Sequence, residues 1–321
     1  MRNKAWLSAV LAILVIVVLF GGGQYTFITG AVTFQMMVFL ALAQGVNLLY
    51  GFTGYLPFGY VGFFGAGAYG ASIAILYWHW PVLLSMLAGT IISGLVGIIL
   101  LPLLRLAGAY FAIGSLAAAE IIYNVVSNPN LQAVTNGPYG INLAQAYNPS
   151  LSYWMMLVVV LLTTLFVIYI RHSQFGFSLL ALRDDPVSAA MSGIHVVRAR
   201  TIVWLASALI AGATGALYAW HISVFYPQAV FDLTISIFAI VFTLFGGRAT
   251  LWGPILGTIL LYGLYNYIGV QTPQYFQLVY GLLIVALVLF LPSGVMSLLR
   301  RRERKEPAVS EPSEGVSASA P

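Results

Sequence analysis

Ten apolar runs, most of them close to the roughly 20 residues a helix needs to cross a hydrocarbon core, leave this chain few ways to fold. They cover Trp6 to Gly23, Ala31 to Tyr50, Leu56 to Tyr77, Val82 to Leu104, Ala109 to Val126, Tyr153 to Ile170, Ile202 to Ile222, Leu233 to Phe245, Trp252 to Ile268 and Tyr275 to Leu291. The run from Leu233 is short for a span and is expected to be tilted, broken or re-entrant. A membrane barrel would need alternating polarity in segments of about 10 residues, and no such alternation is present. The expected fold is therefore all-α and polytopic, about ten transmembrane helices with one or more broken or re-entrant segments. Residues 1–305 form one transmembrane domain, and 306–321 is a disordered cytoplasmic tail, too rich in Pro, Ser, Ala and Glu to offset its ordering entropy by burial.

Charge gives the chain an orientation. With 61% hydrophobic and 7% charged residues, lipid is the solvent for most of it, and the net charge of +5 lies in short segments between apolar runs rather than in a nucleic-acid patch. Inner loops are enriched in Lys and Arg. With the amino terminus inside, Arg2, Lys4, Arg105, Arg171, Arg183, Arg198, Arg200, Arg248 and the cluster Arg300, Arg301, Arg302, Arg304 and Lys305 all fall on one side. The opposite loops hold Tyr77-Trp78-His79-Trp80, the polar stretch Ser127 to Ser152, Asp232, and Gln271 to Gln274. Both termini are then cytoplasmic. The basic start and first apolar run also fit a cleaved signal peptide, a reading the charge rule does not decide; a retained span is simpler.

Several chemistries are excluded. Cysteine is absent, which removes thiolate ligands and nucleophiles. A phosphate-cradling loop needs Gly-x-x-x-x-Gly-Lys-Ser/Thr, and the only lysines are Lys4 and Lys305, so ATP hydrolysis is not expected in this chain. His79, His172, His195 and His221 lack paired ligand spacing, and neither a metal site nor a cofactor is expected. An intramembrane enzyme would need a nucleophile-base cluster that is missing. An ion-coupled secondary transporter, the alternative from another class, would carry more ionisable groups within its spans than Glu120.

Glycine and proline mark special segments. From Gly51 to Gly70 the chain carries Gly51, Gly54, Pro57, Gly59, Gly62, Gly65, Gly67 and Gly70, which predicts a helix that is broken, and lines a cavity, or one that is very closely packed. Ser207, Ala211, Gly215 and Ala219, then Ala208, Gly212 and Ala216, and Gly253 with Gly257 recur at four-residue spacing, a pattern for helix contact. Glu120 is the one carboxylate well inside a span, where a charge costs about 2.5–3.5 kcal/mol; it serves either the solute path or gate, or a structural hydrogen bond between helices. Arg171 to Arg200 is long for a connector. Within it Asp184 or Asp185 caps, Pro186 suits the first helical position and Gly193 the left-handed position past the end, predicting a helix of about two turns. Its apolar stripe of Val187, Ala190, Met191 and Ile194 faces headgroups or, the favoured reading, a partner protein.

These segments resemble, in order, the permease subunits of branched-chain amino-acid ABC importers, in particular the longer of the two paired permeases. The resemblance runs from about Phe27 to Arg300. It is carried by Asn47-Leu-Leu-Tyr-Gly51, Phe63-Phe64-Gly65-Ala-Gly67-Ala-Tyr69, Tyr110-Phe-Ala-Ile113 leading to Glu120, Asn136-Gly-Pro-Tyr-Gly-Ile141, Arg183-Asp-Asp185 with Ala189-Ala190 and Gly193-Ile194, and Gly246-Gly247 with Leu251-Trp-Gly-Pro-Ile-Leu-Gly257. The chain departs from the family at Tyr55, Pro57 and Tyr60, where Gln, Ser, His or similar polar residues are common, and at Ser188, where an acidic residue leads. The resemblance implies a bacterial inner-membrane permease for branched-chain or similar small neutral amino acids, with urea, amides or other small polar solutes as alternatives. It implies as partners a related second permease, two cytosolic ATPase subunits and an extracytoplasmic solute-binding protein, besides the lipid bilayer and without nucleic acid. The expected ATPase-coupling residues are Arg183, Asp184, Asp185, Pro186, Val187, Ala189, Ala190, Met191 and Gly193. The expected path or gate residues are Glu120, Asn47, Gly59, Tyr60 and Phe64.

Overall fold

The computed structural model describes residues 2–22, 30–271, 281, 282 and 285. The last apolar run therefore lies, but for three residues, outside the described residues, as does the tail over 306–321. The helices are α1 (Arg2–Gly21), α2 (Gly30–Val46), α3 (Tyr60–Trp78), α4 (Val82–Ile99), α5 (Ala109–Val126), the short α6 (Gln132–Thr135), α7 (Pro149–His172), α8 (Gln174–Asp184), α9 (Pro186–Met191), α10 (Val196–Ile222), the short α11 (Pro227–Val230), α12 (Leu233–Gly246) and α13 (Trp252–Gln271). Among the described residues eight helical segments are long and apolar enough to cross a membrane, and the apolar part of α1, Ser8–Gly21, is shorter. The fold is that of an all-α polytopic membrane protein. Its only β pairing among the described residues joins β1 (Ile141–Asn142) to β2 (Val224–Phe225), antiparallel.

Burial orders the bundle. In the span formed by α2 and the turn after it, 89% of the apolar window is buried, against 33% in α4 and in α5, so α2 is central and α4 and α5 are peripheral. α2 lies against α7, α10, α12 and α13, while α3, α4 and α10 pack on one another. Lipid is as apolar as leucine, so helices associate in a membrane through close approach rather than water exclusion. The small-residue stripes supply that approach: Ser207, Ala208, Ala211, Gly212, Gly215, Ala216 and Ala219 are all buried on α10. A Cβ on Gly67 would overlap the backbone of Gly212, so α3 and α10 meet backbone to backbone. Gly253 lies equally close under Gly246, at the start of α13.

Several boundaries differ from the sequence reading for local reasons. The break expected between Gly51 and Gly70 is confined to Gly54–Gly59, which is not helical; it joins a π-helical turn, Asn47–Gly51, at the end of α2 to the start of α3. Gly54 takes a φ of 80° there, left-handed backbone that favours glycine. Beyond it the glycines of α3 serve contact. The short run at Leu233 is preceded by α11, and Pro227 to Gly246 together make one interrupted span. At the interruption the Asp232 side chain accepts from the Thr234 N–H at 2.8 Å and starts α12. α4 stops at Ile99 because Pro102 stands in the following 3-10 turn, Leu101–Arg105, and proline cannot donate to the helical ladder.

Two sets of contacts define the ends of the bundle. At one end, Arg183 Nη1 donates to the Gly51 carbonyl at 2.9 Å, Asn47 joins the loop between α12 and α13, and the Tyr55 hydroxyl donates to the Leu104 carbonyl at 3.3 Å. The guanidinium of Arg200 sits 4.8 Å from the centre of the Tyr55 ring. Arg105, Arg183, Arg200 and Arg248 thus gather at this arginine-bearing end. At the other end, Ser152 and His221 share a 2.7 Å hydrogen bond, His221 stacks on Phe34 with ring centroids 3.5 Å apart, and Trp220 Nε1 donates to the Ala146 carbonyl at 2.6 Å.

Candidate coupling surface and translocation face

The segment between α7 and α10 holds two helices, where the sequence reading found one. α8 begins at Ser173, whose hydroxyl accepts from the Gly176 N–H at 3.1 Å. Asp185 ends α8 and begins α9, so both helices share one residue at a sharp corner. Of the two capping candidates it is Asp185 that caps: its carboxylate accepts from the Val187 N–H at 2.9 Å and from the Ser188 hydroxyl. The Ser188 hydroxyl, followed by the backbone N–H groups of Val187 and Ser188, holds that carboxyl below the usual range, because hydrogen bonds to the charged form favour it. Ser188 thus completes the cap. Gly193, at φ 83°, ends α9, and the Ile194 N–H bonds to the Ala189 carbonyl at 3.1 Å, as in a glycine-ended helix.

α9 is anchored on one side and bare on the other. Ala189 is buried and Ile194 is half-buried against the core, so Ile194 does not belong to the exposed stripe. Val187 is 63% exposed, Met191 is 84% exposed, and Ala190 is exposed between them. Arg183 holds the preceding helix end with Asp184, 3.1 Å from its Nη2, and with the Gly51 carbonyl. The sequence carried no signal for this last bond, since it joins positions 132 residues apart.

The five path or gate candidates fall in two places. Asn47, Gly59, Tyr60 and Phe64 are buried inside the bundle. Asn47 Nδ2 donates to the Thr250 carbonyl at 2.9 Å and its Oδ1 accepts from the Ala249 N–H at 2.8 Å. Gly59 donates its N–H to Ser115 Oγ at 3.2 Å, the Tyr60 hydroxyl donates to the Ser207 carbonyl at 2.9 Å, and the Phe64 ring tilts against Tyr218. Glu120 is not among them. It is exposed on the outer side of α5, with Oε1 accepting from Asn124 Nδ2 at 3.1 Å on the same helix. Glu120, Ala117, Ile121, Asn124 and Asn128 line a shallow concavity of about 430 Å³. Among the described residues no group of three or more His, Cys, Asp or Glu is placed to hold a metal.

A bundle of apolar spans with an arginine-bearing end and a small capped helix projecting there is the architecture of a polytopic membrane protein. The family model for the permease component of branched-chain amino acid transport systems matches residues 28–288. The chain belongs to this family. It is 26% identical over 299 residues to the high-affinity branched-chain amino acid transport system permease protein LivM of Salmonella typhimurium, covering 82% of this chain and 69% of that protein. The LivM of Escherichia coli is similar at the same identity over 298 residues, covering 82% of this chain and 69% of that protein. The probable ABC transporter permease protein YphD of Escherichia coli is 31% identical over 140 residues, covering 41% of this chain and 42% of that protein. No solved structure matches the chain.

Proposed function

We propose that this chain is the translocating subunit of an ATP-driven importer in the bacterial inner membrane, carrying branched-chain or similar small neutral amino acids. The observation that carries the reading is α9: a rigid, doubly capped helix whose Val187, Ala190 and Met191 stand bare at the arginine-bearing end. By the charge rule this end faces the cytoplasm. A permease without a phosphate loop receives force through a contact, and this stripe fits a groove on a cytosolic ATPase. The solute-binding protein docks at the opposite face.

Glu120 supports a second permease subunit. A carboxylate turned from its own bundle into hydrocarbon costs about 2.5–3.5 kcal/mol, and Asn124 one turn on adds another polar group to the same face. The polar side of α5 is therefore the side that meets the sister permease and the solute path between them. Asn47, Gly59, Tyr60 and Phe64 support that path from behind by holding α2 and α3 in place. The test is reconstitution of the chain with its sister permease, ATPases and binding protein in proteoliposomes. Leucine uptake that needs both ATP and the binding protein is the expected result; uptake of urea or amides alone would reassign the solute, and uptake driven by an ion gradient without ATPases would overturn the class.

A further inference from the structure

We propose a second ligand site at the end of the bundle opposite the arginines: a cavity of about 430 Å³ between α2, α10, α12 and α13 that binds a primary ammonium group. It does not depend on the transport reading above. Its lining brings one carboxylate, Asp232, together with Gln35, Tyr218, Phe238, Tyr262 and Tyr265.

Charge balance comes first. Asp232 is exposed and forms no ion pair among the described residues, and its carboxylate accepts the capping bond from the Thr234 N–H. The chain has no Lys or Arg between Arg200 and Arg248. Those two lie at the far ends of α10 and α12, and the 14 residues of α12 separate Arg248 from Asp232 by about 21 Å. His221, one turn beyond Tyr218, is turned to Ser152 and stacked on Phe34. The negative charge at the cavity is thus unmatched by these cations.

The walls select the partner. Tyr262 and Tyr265 stack with centroids 5.6 Å apart, and Phe238 meets Tyr265 edge-on at 5.0 Å. Aromatic faces attract cations through their quadrupole, whereas an anion meets Asp232 and a neutral apolar ligand strips water from a carboxylate without replacing it. Carboxylate, amide and phenolic oxygens all accept hydrogen bonds. A primary ammonium has three N–H groups to donate to them; a quaternary one has none. Two sources carry this group at such a position, a free small amine and the ethanolamine headgroup of a membrane lipid.

The test is calorimetric titration of ethanolamine into the full chain in phosphatidylglycerol nanodiscs, with empty discs subtracted and n-propanol as the neutral control. Ethanolamine binds and propanol does not. Asp232→Asn keeps an oxygen to cap α12, so it melts like the parent, but weakens ethanolamine about tenfold or more; Tyr265→Leu weakens it less. Repeating the titration with phosphatidylethanolamine in the discs separates the sources: lost ethanolamine binding identifies the headgroup as occupant, unchanged binding the free amine. If the parent chain fails to bind ethanolamine, or Asp232→Asn binds it as tightly as the parent, the cavity is not an ammonium site.

Discussion

Arg183 and Gly51 are joined by a 2.9 Å hydrogen bond from guanidinium to backbone carbonyl, and this bond ties the corner before α9 to the π-helical end of the most buried span. Gly51 belongs to the same turn as Asn47, which in turn holds the loop between α12 and α13. One short stretch of backbone therefore touches three parts of the fold: the α8–α9 corner, the buried α2 span and the loop between α12 and α13. Arg183→Met removes the bond while leaving the exposed stripe of α9 intact. The expected result is a stability loss of about 1.5–3 kcal/mol in thermal melts, with ATPase binding retained and uptake reduced several-fold. Equal loss of ATPase binding and uptake would place Arg183 in the docking surface instead.

Ala190→Glu puts a charge in the centre of the bare stripe. Insertion and pairing with the sister permease are expected to survive, because Ala190 is exposed beyond the bundle. A charge buried without a partner at a contact costs about 3–5 kcal/mol, so ATPase co-purification and uptake should vanish together. Normal levels of both would leave α9 resting on lipid headgroups.

The α9 cap makes a pH statement. Asp185 is ionised more readily in the folded protein than in the unfolded chain, so its stabilising effect is complete above the ordinary carboxylate range and is lost only as pH falls through its lowered value. At neutral pH, Asp185→Asn should preserve the helix and Asp185→Ala should fray it. Amide hydrogen exchange over residues 186–191 reads the difference, and equal exchange in the two variants contradicts the assignment.

Glu120 offers a cleaner mutational test than a carboxylate inside the bundle, because among the described residues its side chain bonds to Asn124 on its own helix. Both Glu120→Gln and Glu120→Ala are expected to fold in normal amounts. If the charge serves the path, both transport poorly; if only a polar group is needed at the interface, Gln transports and Ala does not. Normal uptake by the Ala variant removes the residue from the path.

The backbone-to-backbone contact of α3 and α10 leaves no room for a side chain. Gly67→Leu would drive a side chain into the Gly212 backbone, and overpacking of this kind costs about 1–3 kcal/mol. Folded yield and melting temperature should both drop, while Gly21→Leu, where nothing lies within 4 Å of an added Cβ, serves as the control for added bulk.

The apolar runs made the all-α fold legible, because length and hydropathy alone decide that an element spans lipid. The α9 helix was equally legible: Asp185, Pro186 and Gly193 are local signals that need no tertiary knowledge. Facing was not. Glu120 and Asn47 both read as polar residues in or beside a span, yet one turns outward and the other holds Thr250 and Ala249, about 200 positions away. Helix α8 was missed because Arg171 to Asp184 lacks a terminal glycine or proline, and its end is set by a residue that simultaneously begins the next helix. The Asp232 cavity was hidden for a similar reason, since its walls come from four helices with no shared motif.

Helix α10 runs unbroken for 27 residues, about 40 Å at the helical rise. One end abuts α9. At the other, the Ser223 carbonyl takes the Leu143 N–H at 2.6 Å, and Trp220 grips Ala146. The α8–α9 corner and the polar stretch around Leu143 and Ala146 are therefore fastened to opposite ends of one continuous helix.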